Sequence, residues 1–252
     1  MAWSLNYLAL LYDTQGKYND AEPLYKRSLA IQEKFHGPDH PAVGESLNNL
    51  ARLYVHQGKY AEAEPLCRRS LSIIQKVLGP DNAGVAAILD NLAELYEDQG
   101  KYAEAEPLCE RSLAIREKAL GPDHSGVAES LNNVAKLYVA QGKYSEAEPL
   151  SKRSLIIREK TSGPDHPNLA ASLNTLAELY SHQGKYAEAE PLYERALAIR
   201  EKALGPDHPD VADSLEGYAA LLRRTNREAE AGKLEARAQA IRARQGSTLP
   251  QK

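Results

Sequence analysis

The apolar positions between residues 41 and 78 fall on helical spacing. Leu47, Leu50, Ala51 and Tyr54 stand at i, i+3, i+4 and i+7, which makes one stripe of a helix. Gly58 follows, and glycine lets a chain reverse through positive φ without a Cβ clash. A second stripe then runs through Tyr60, Ala63, Leu66, Cys67, Ser70, Leu71 and Ile74, until Gly79-Pro80-Asp81 breaks it. The pattern predicts helix A over about 42–56 and helix B over about 60–77, with no period-two alternation that would make a strand. Asp39 is the expected cap of helix A, with Pro41 in its first turn. Pro65 sits one turn into helix B, where a mild bend is expected rather than a break.

The whole unit repeats. The string Gln57-Gly58-Lys59-Tyr60-Ala61-Glu62-Ala63-Glu64-Pro65-Leu66 returns nearly unchanged from Gln99, Gln141 and Gln183, and with changes from Gln15. Its glycines lie at 16, 58, 100, 142 and 184, a period of 42 residues. Such a period marks a solenoid, in which each unit buries its apolar face only against its neighbours. Helices A are expected to start near 2, 42, 84, 126, 168 and 210, and helices B near 18, 60, 102, 144, 186 and 228. The expected organisation is one domain over residues 1–245, with repeats at 2–36, 42–78, 84–120, 126–162, 168–204 and 210–245, then a frayed tail over 246–252. The sixth unit is degenerate: Asn226 replaces the glycine, and Arg223, Arg224, Arg227, Arg237, Arg242 and Arg244 add charge, which suits a solvated cap.

Leu47-x2-Leu50-Ala51-x2-Tyr54, then Ala63-x3-Cys67, then the small Ser70, resembles a tetratricopeptide repeat. The 42-residue period, the Gly-Pro-Asp-His turn, Leu-Asn-Asn-Leu-Ala at Leu47 and Leu-x-Ile-Arg-Glu-Lys at Leu113 and Leu197 are similar to the kinesin light chain type. The resemblance implies an all-α, right-handed superhelical solenoid of six helix pairs. In it helices A line a concave groove that holds extended peptides.

Composition changes this picture little. The chain of 252 residues is 42 % hydrophobic and 26 % charged, with a net charge of −4, which gives no general attraction to nucleic acid or to a membrane surface. No run reaches the length of a transmembrane helix, and no signal peptide opens the sequence. Cys67 and Cys109 share one repeat position, too far apart for a disulfide, so a reduced, cytoplasmic chain is expected. His40, His124, His166 and His208 occupy successive inter-repeat turns, about 10 Å apart, too far to share a metal. No catalytic grouping or phosphate loop is present, so no enzyme, cofactor or metal is expected. The Glu62-x-Glu64 pairs are read as solvated charges at a helix start. The tyrosines at 12, 54, 96, 138 and 180 are read as core packing.

What remains is surface. With Leu47, Leu50 and Tyr54 inside, the stripe Glu45, Asn48, Arg52, Val55, His56 points to the groove. Asn6, Asn48, Asn49, Asn91, Asn132, Asn133 and Asn174 recur on or beside it, and an amide both donates and accepts. The resemblance implies that such asparagines bond the main chain of a bound peptide. Repeat three adds Asp90, Glu94, Glu97 and Asp98, bracketed by Arg52 and Lys136, which suits a partner segment with Lys or Arg at its centre. Apolar contacts are expected near Val55, Val139 and Leu10. Trp3, Tyr7 and Leu10 form a possible contact patch at the first repeat. The expected function is a non-enzymatic scaffold for an extended protein segment. The alternative is a structural module that self-associates through its first repeat.

Overall fold

Twelve helices follow one another along the chain in the computed structural model, which describes residues 1–246. They are α1 (Ala2–Thr14), α2 (Tyr18–His36), α3 (Pro41–His56), α4 (Tyr60–Leu78), α5 (Ala83–Asp98) and α6 (Tyr102–Leu120) in one compact unit. A second unit, from Asp123 onward, holds α7 (Ser125–Ala140), α8 (Tyr144–Ser162), α9 (Pro167–His182), α10 (Tyr186–Leu204), α11 (Pro209–Arg224) and α12 (Glu228–Gly246). No strand occurs among the described residues. The odd-numbered helices are the helices A and the even-numbered the helices B, starting within a residue of the sequence-based positions. Helix α12 extends through Gly246, and the rest of the expected tail lies outside the described residues.

Within each unit every helix A packs on its own helix B, and, where the unit holds them, on the preceding helix B and on the neighbouring helices A. Small buried residues make the close approaches, with Ala51, Ala63 and Ala105 fully inside. One polar contact recurs at these crossings. Ser28 Oγ donates to the Ala2 carbonyl at 3.0 Å, Ser70 Oγ to Gly44 at 2.7 Å and Ser154 Oγ to Ala128 at 2.7 Å. Each ties the middle of helix B to the first turn of its helix A. At Gly44 an added Cβ would stand 2.9 Å from Ile74 Cδ1, so the isoleucine would have to shift to admit one. The helices B run on through Pro23, Pro65, Pro107, Pro149 and Pro191. Asn226 takes the place of the turn glycine at φ 60°, a left-handed conformation that asparagine tolerates.

The caps differ from expectation. Not Asp39 but His40 is the N-cap of α3: its Nδ1 accepts from Ala42 N at 3.2 Å. His124, His166 and His208 do the same for α7, α9 and α11, and Asn82 Oδ1 does it for α5 at 2.8 Å. The turn histidines are therefore helix caps, which is why asparagine can stand in for one of them. The preceding aspartate reaches the lysine near the end of helix B instead: Asp39 meets Lys76 at 3.5 Å and Asp81 meets Lys118 at 2.5 Å, both exposed pairs of small worth. His40→Ala is expected to cost about 1 kcal/mol, and His40→Asn to be close to neutral. Chemical denaturation of the two variants checks this.

Both cysteines are free and buried. Burial, with smaller contributions from Glu64 and Glu94, pushes the Cys67 thiol up to about 12, so it is an inert core filler.

Candidate functional site

Helices α1, α3 and α5 stand side by side in the first unit and share one face. Helical spacing puts Asn6, Asn48 and Asp90 at one level of that face, and Asn49 and Asn91 beside them. The amides bond to each other across repeats. Asn49 Nδ2 donates to Asn6 Oδ1 at 3.2 Å, and Asn91 Nδ2 donates to Asn48 Oδ1 at 2.8 Å. All four side chains remain half-buried rather than covered. Each pair uses one acceptor and one donating nitrogen, so the earlier residue keeps its NH2 and the later one its carbonyl.

Asp90 does not join this row as an open carboxylate. It is buried, with Arg116 Nη2 2.7 Å from its Oδ2. The acidic character expected of repeat three therefore rests on Glu94 and Glu97, half-buried, and on the exposed Asp98, which accepts from the Tyr60 hydroxyl at 3.2 Å. Val55 and Val139, expected as groove contacts, are buried in the core instead. They lie one residue past the tyrosines and face the crossing. Leu10 is half-buried, whereas Trp3 and Tyr7 stand well exposed.

A charged cluster sits at the other end of the same face. Asp13, on the last turn of α1, has its side chain almost wholly buried. It accepts from Arg52 Nη2 at 2.9 Å, lies 3.2 Å from His56 Nδ1, and accepts weakly from the buried Tyr25 hydroxyl at 3.4 Å. Burial pushes the Asp13 carboxyl up, but the His56 hydrogen bond and the Arg52 charge outweigh it and hold it below the usual carboxylate range. Burial pushes Tyr25 up, and the Asp13 charge adds to it, to about 12, so its hydroxyl stays a donor. Sequence reasoning placed Arg52 and His56 on the face but missed Asp13 and Tyr25. The signal was an aspartate at a position that is valine in repeats two and four.

Glu22 and Glu64 also do more than face solvent. Glu22 lies 2.7 Å from Lys26 and 2.9 Å from Lys59. Its partial burial opposes ionisation, but these two lysines draw its carboxyl down to about 2. Glu64 accepts from the next repeat's Tyr96 hydroxyl at 2.9 Å. Lys59 and Lys101 lie over the rings of Tyr54 and Tyr96, 5.3 and 5.7 Å from their centroids. The tyrosine series is thus a row of inter-repeat bolts as well as packing.

In the second unit Asn132 is buried, Asn133 half-buried and Lys136 exposed. Asn174 Nδ2 donates to Ser214 Oγ at 2.8 Å, toward the next repeat, whereas Asn49 and Asn91 donate to the preceding one. Arg224 Nη1 donates to the Ser181 carbonyl at 2.9 Å and lies 3.4 Å from His182, which also stacks on Tyr144. Arg223, expected among the solvated charges of the last repeat, pairs with Glu235 of α12 at 2.6 Å. Among the described residues no group of His, Cys, Asp and Glu could hold a metal ion, and no helix is long and apolar enough to cross a membrane.

Comparison with curated proteins gives no match. The Tetratricopeptide repeat family matches residues 1–65, 45–106, 84–160, 140–202 and 172–244. Among solved structures, kinesin light chain nearly identical TPR-like repeats from Podosopora anserina are 33 % identical, with 79 % of this chain and 94 % of that chain covered and a TM-score of 0.61. BtubC from P. vanneervenii is 23 % identical over 96 % of this chain and 94 % of that one, TM-score 0.64. A Rap protein complexed with Competence and Sporulation Factor is 17 % identical over 97 % of this chain and 75 % of that one, TM-score 0.74. At those last two identities the likeness is one of fold. The helix pairs, the 42-residue period and these matches together place the chain in the tetratricopeptide repeat family, among the repeats of the kinesin light chain-like type.

Proposed function

We propose that this chain is a non-enzymatic, cytoplasmic scaffold that holds an extended segment of a partner protein along the face of its helices A. The family is one of protein-interaction scaffolds, and stacked repeats offer long binding surfaces. The observation that carries the finer reading is the pair of amide–amide bonds Asn49–Asn6 and Asn91–Asn48. They fix the orientation of four side chains and leave one amide NH2 and one amide carbonyl per pair, with one of each on repeat two, the complement of a peptide unit. Neighbouring helices stand about 10 Å apart. One turn of a polyproline II chain advances about 9 Å over three residues, so such a segment meets each repeat in the same register. Glu94 and Asp98, one helical turn apart, favour a Lys or Arg in that segment. The two free, buried cysteines suit a reducing compartment.

The test is a random peptide library panned against the chain, followed by titration of the recovered peptides. Asn48→Ala/Asn91→Ala should weaken binding at least tenfold, about 1.4 kcal/mol, with helix content unchanged. Added salt should weaken it further. Equal affinity for the variant, or no enriched peptide, would remove the reading.

A further inference from the structure

One position of the helices B turns basic partway along the chain: Gln32 and Ile74 are followed, one repeat apart, by Arg116, Arg158, Arg200 and Arg242. The matching position of the helices A is acidic only in repeats three and six, as Asp90 and Glu216, and is asparagine in the other four. Where arginine and acid coincide, they meet. Arg116 Nη2 lies 2.7 Å from Asp90 Oδ2, with both side chains buried. Arg242 Nε and Nη2 each reach a Glu216 oxygen at 3.1 Å, with both side chains exposed.

Repeats four and five bury the same arginine with no carboxylate in contact. Arg158 donates to the Asn168 carbonyl. Arg200 donates to the Asp210 carbonyl at 2.6 Å and to the Ser214 hydroxyl at 2.9 Å. Burial draws the Arg158 guanidinium down to about 10, and the Glu129 charge only partly offsets it. The repeat therefore folds around this arginine without an acid beside it. Asp90 is an addition to the first unit's face rather than a condition of the stack.

What Asp90 adds is a choice of sign. Glu94 stands one turn beyond it on α5, and Asp98 one turn further. With Arg116 held by Asp90, the guanidinium is engaged and the two glutamate and aspartate charges keep their pull on a cation. With asparagine at position 90, the same guanidinium would offset those charges or meet an incoming carboxylate.

We propose that Asp90 is a specificity-determining residue of the first unit's face: by occupying Arg116 with the chain's own carboxylate, it closes that face to acidic segments and keeps it selective for basic ones. The proposal rests on the peptide reading of that face and names the residue that sets its charge preference.

The test uses the full chain and two acetylated, amidated peptides of about ten residues, alternating Gly-Lys and alternating Gly-Glu, long enough to span the first unit. Binding is read by fluorescence anisotropy in about 50 mM salt, where charges are little screened. Asp90→Asn copies the pairing of repeats four and five. It should weaken the Gly-Lys peptide and strengthen the Gly-Glu peptide, each by about fivefold or more. Asp90→Asn/Arg116→Ile copies Asn48 and Ile74 of repeat two. It should return both affinities to those of the wild type. Glu104→Gln, an equal change of net charge at an exposed position on α6, should shift neither. Circular dichroism should show the same helix content throughout. A Gly-Lys peptide that binds the wild type and Asp90→Asn alike would overturn this proposal while leaving the scaffold reading standing, and so would an equal shift in Glu104→Gln or a shift that persists in the double variant. A wild type that captures neither peptide would remove the scaffold reading and this proposal with it.

Discussion

Asp13→Ala should destabilise the first unit by about 3 kcal/mol, a large effect for one surface-helix residue. The carboxylate holds three partners from two other helices: Arg52 and His56 on α3, and Tyr25 on α2. Alanine would leave the guanidinium half-buried without its counter-charge and the Tyr25 hydroxyl buried without an acceptor. The cost is thus the penalty of the orphaned groups more than the worth of the pair. Two variants separate these contributions. Asp13→Asn keeps an acceptor and should lose less. Asp13→Leu/Arg52→Met removes both charges and should recover most of the loss. Urea unfolding of the three variants gives the comparison; a single-site loss below about 0.5 kcal/mol, the range of a neutral surface change, would show the cluster to be a bystander.

The same cluster sets a pH dependence. Asp13 is depressed in the folded chain, so its contribution is present above its unfolded value of about 3.9 and is lost as pH falls through the folded value. His56 is raised: burial opposes its charge, but the Asp13 hydrogen bond and the Glu94 charge outweigh burial. Its contribution is complete below about 6.5 and is lost as pH rises through the folded value. The ends of α1 and α3 should therefore be most protected from amide exchange between about pH 4 and 6.5. His56→Gln should abolish the decline on the alkaline side and leave the acid side in place.

The helices were legible because period and breakers agree at every level. The glycine, proline and tyrosine positions recur so regularly that one repeat, once parsed, parses the rest. The caps were misread because Asp39 and His40 are adjacent and aspartate is the commoner cap. Which of the two points at the free amide depends on the backbone of a turn whose geometry the repeat pattern does not carry. The candidate site was legible only in part. Face assignment by helical spacing places Asn6, Asn48, Asn49 and Asn91 together on the α1–α3–α5 face, yet spacing alone does not reveal that they bond to one another. It also misplaces Val55, which a stripe of five positions puts outside and the crossing of two helices puts inside. Asp90 shows a further gap: its environment depends on Arg116 of α6, 26 residues away, a contact that no local pattern encodes. Asp13 breaks the repeat rather than obeying it, so a reading built on what recurs passes over it.

Leu47→Ala should cost about 3 kcal/mol, and where that loss appears tests the stacked architecture itself. Leu47 is almost wholly buried in a cluster with Val43 and Ile73, against which Leu29 and Leu66 pack. These side chains come from α2, α3 and α4, so one truncation loosens two helix contacts at once. Close-packed interiors do not refill such a space freely, and the backbone around it is pinned by Ser70 on the Gly44 carbonyl. Ser70→Ala is the calibrating variant. It removes a single hydrogen bond and should cost only about 1 kcal/mol, because repeat five already carries Ala196 at this position, fully buried. In a stack held by nearest-neighbour interfaces the leucine loss should raise amide exchange most in α2, α3 and α4, less in α1 and α5, and least in α9, α10 and α11. A uniform rise across all twelve helices would mean that the chain unfolds as a single cooperative body. The repeat-by-repeat account of its stability would then be wrong even though its helices are in the right places.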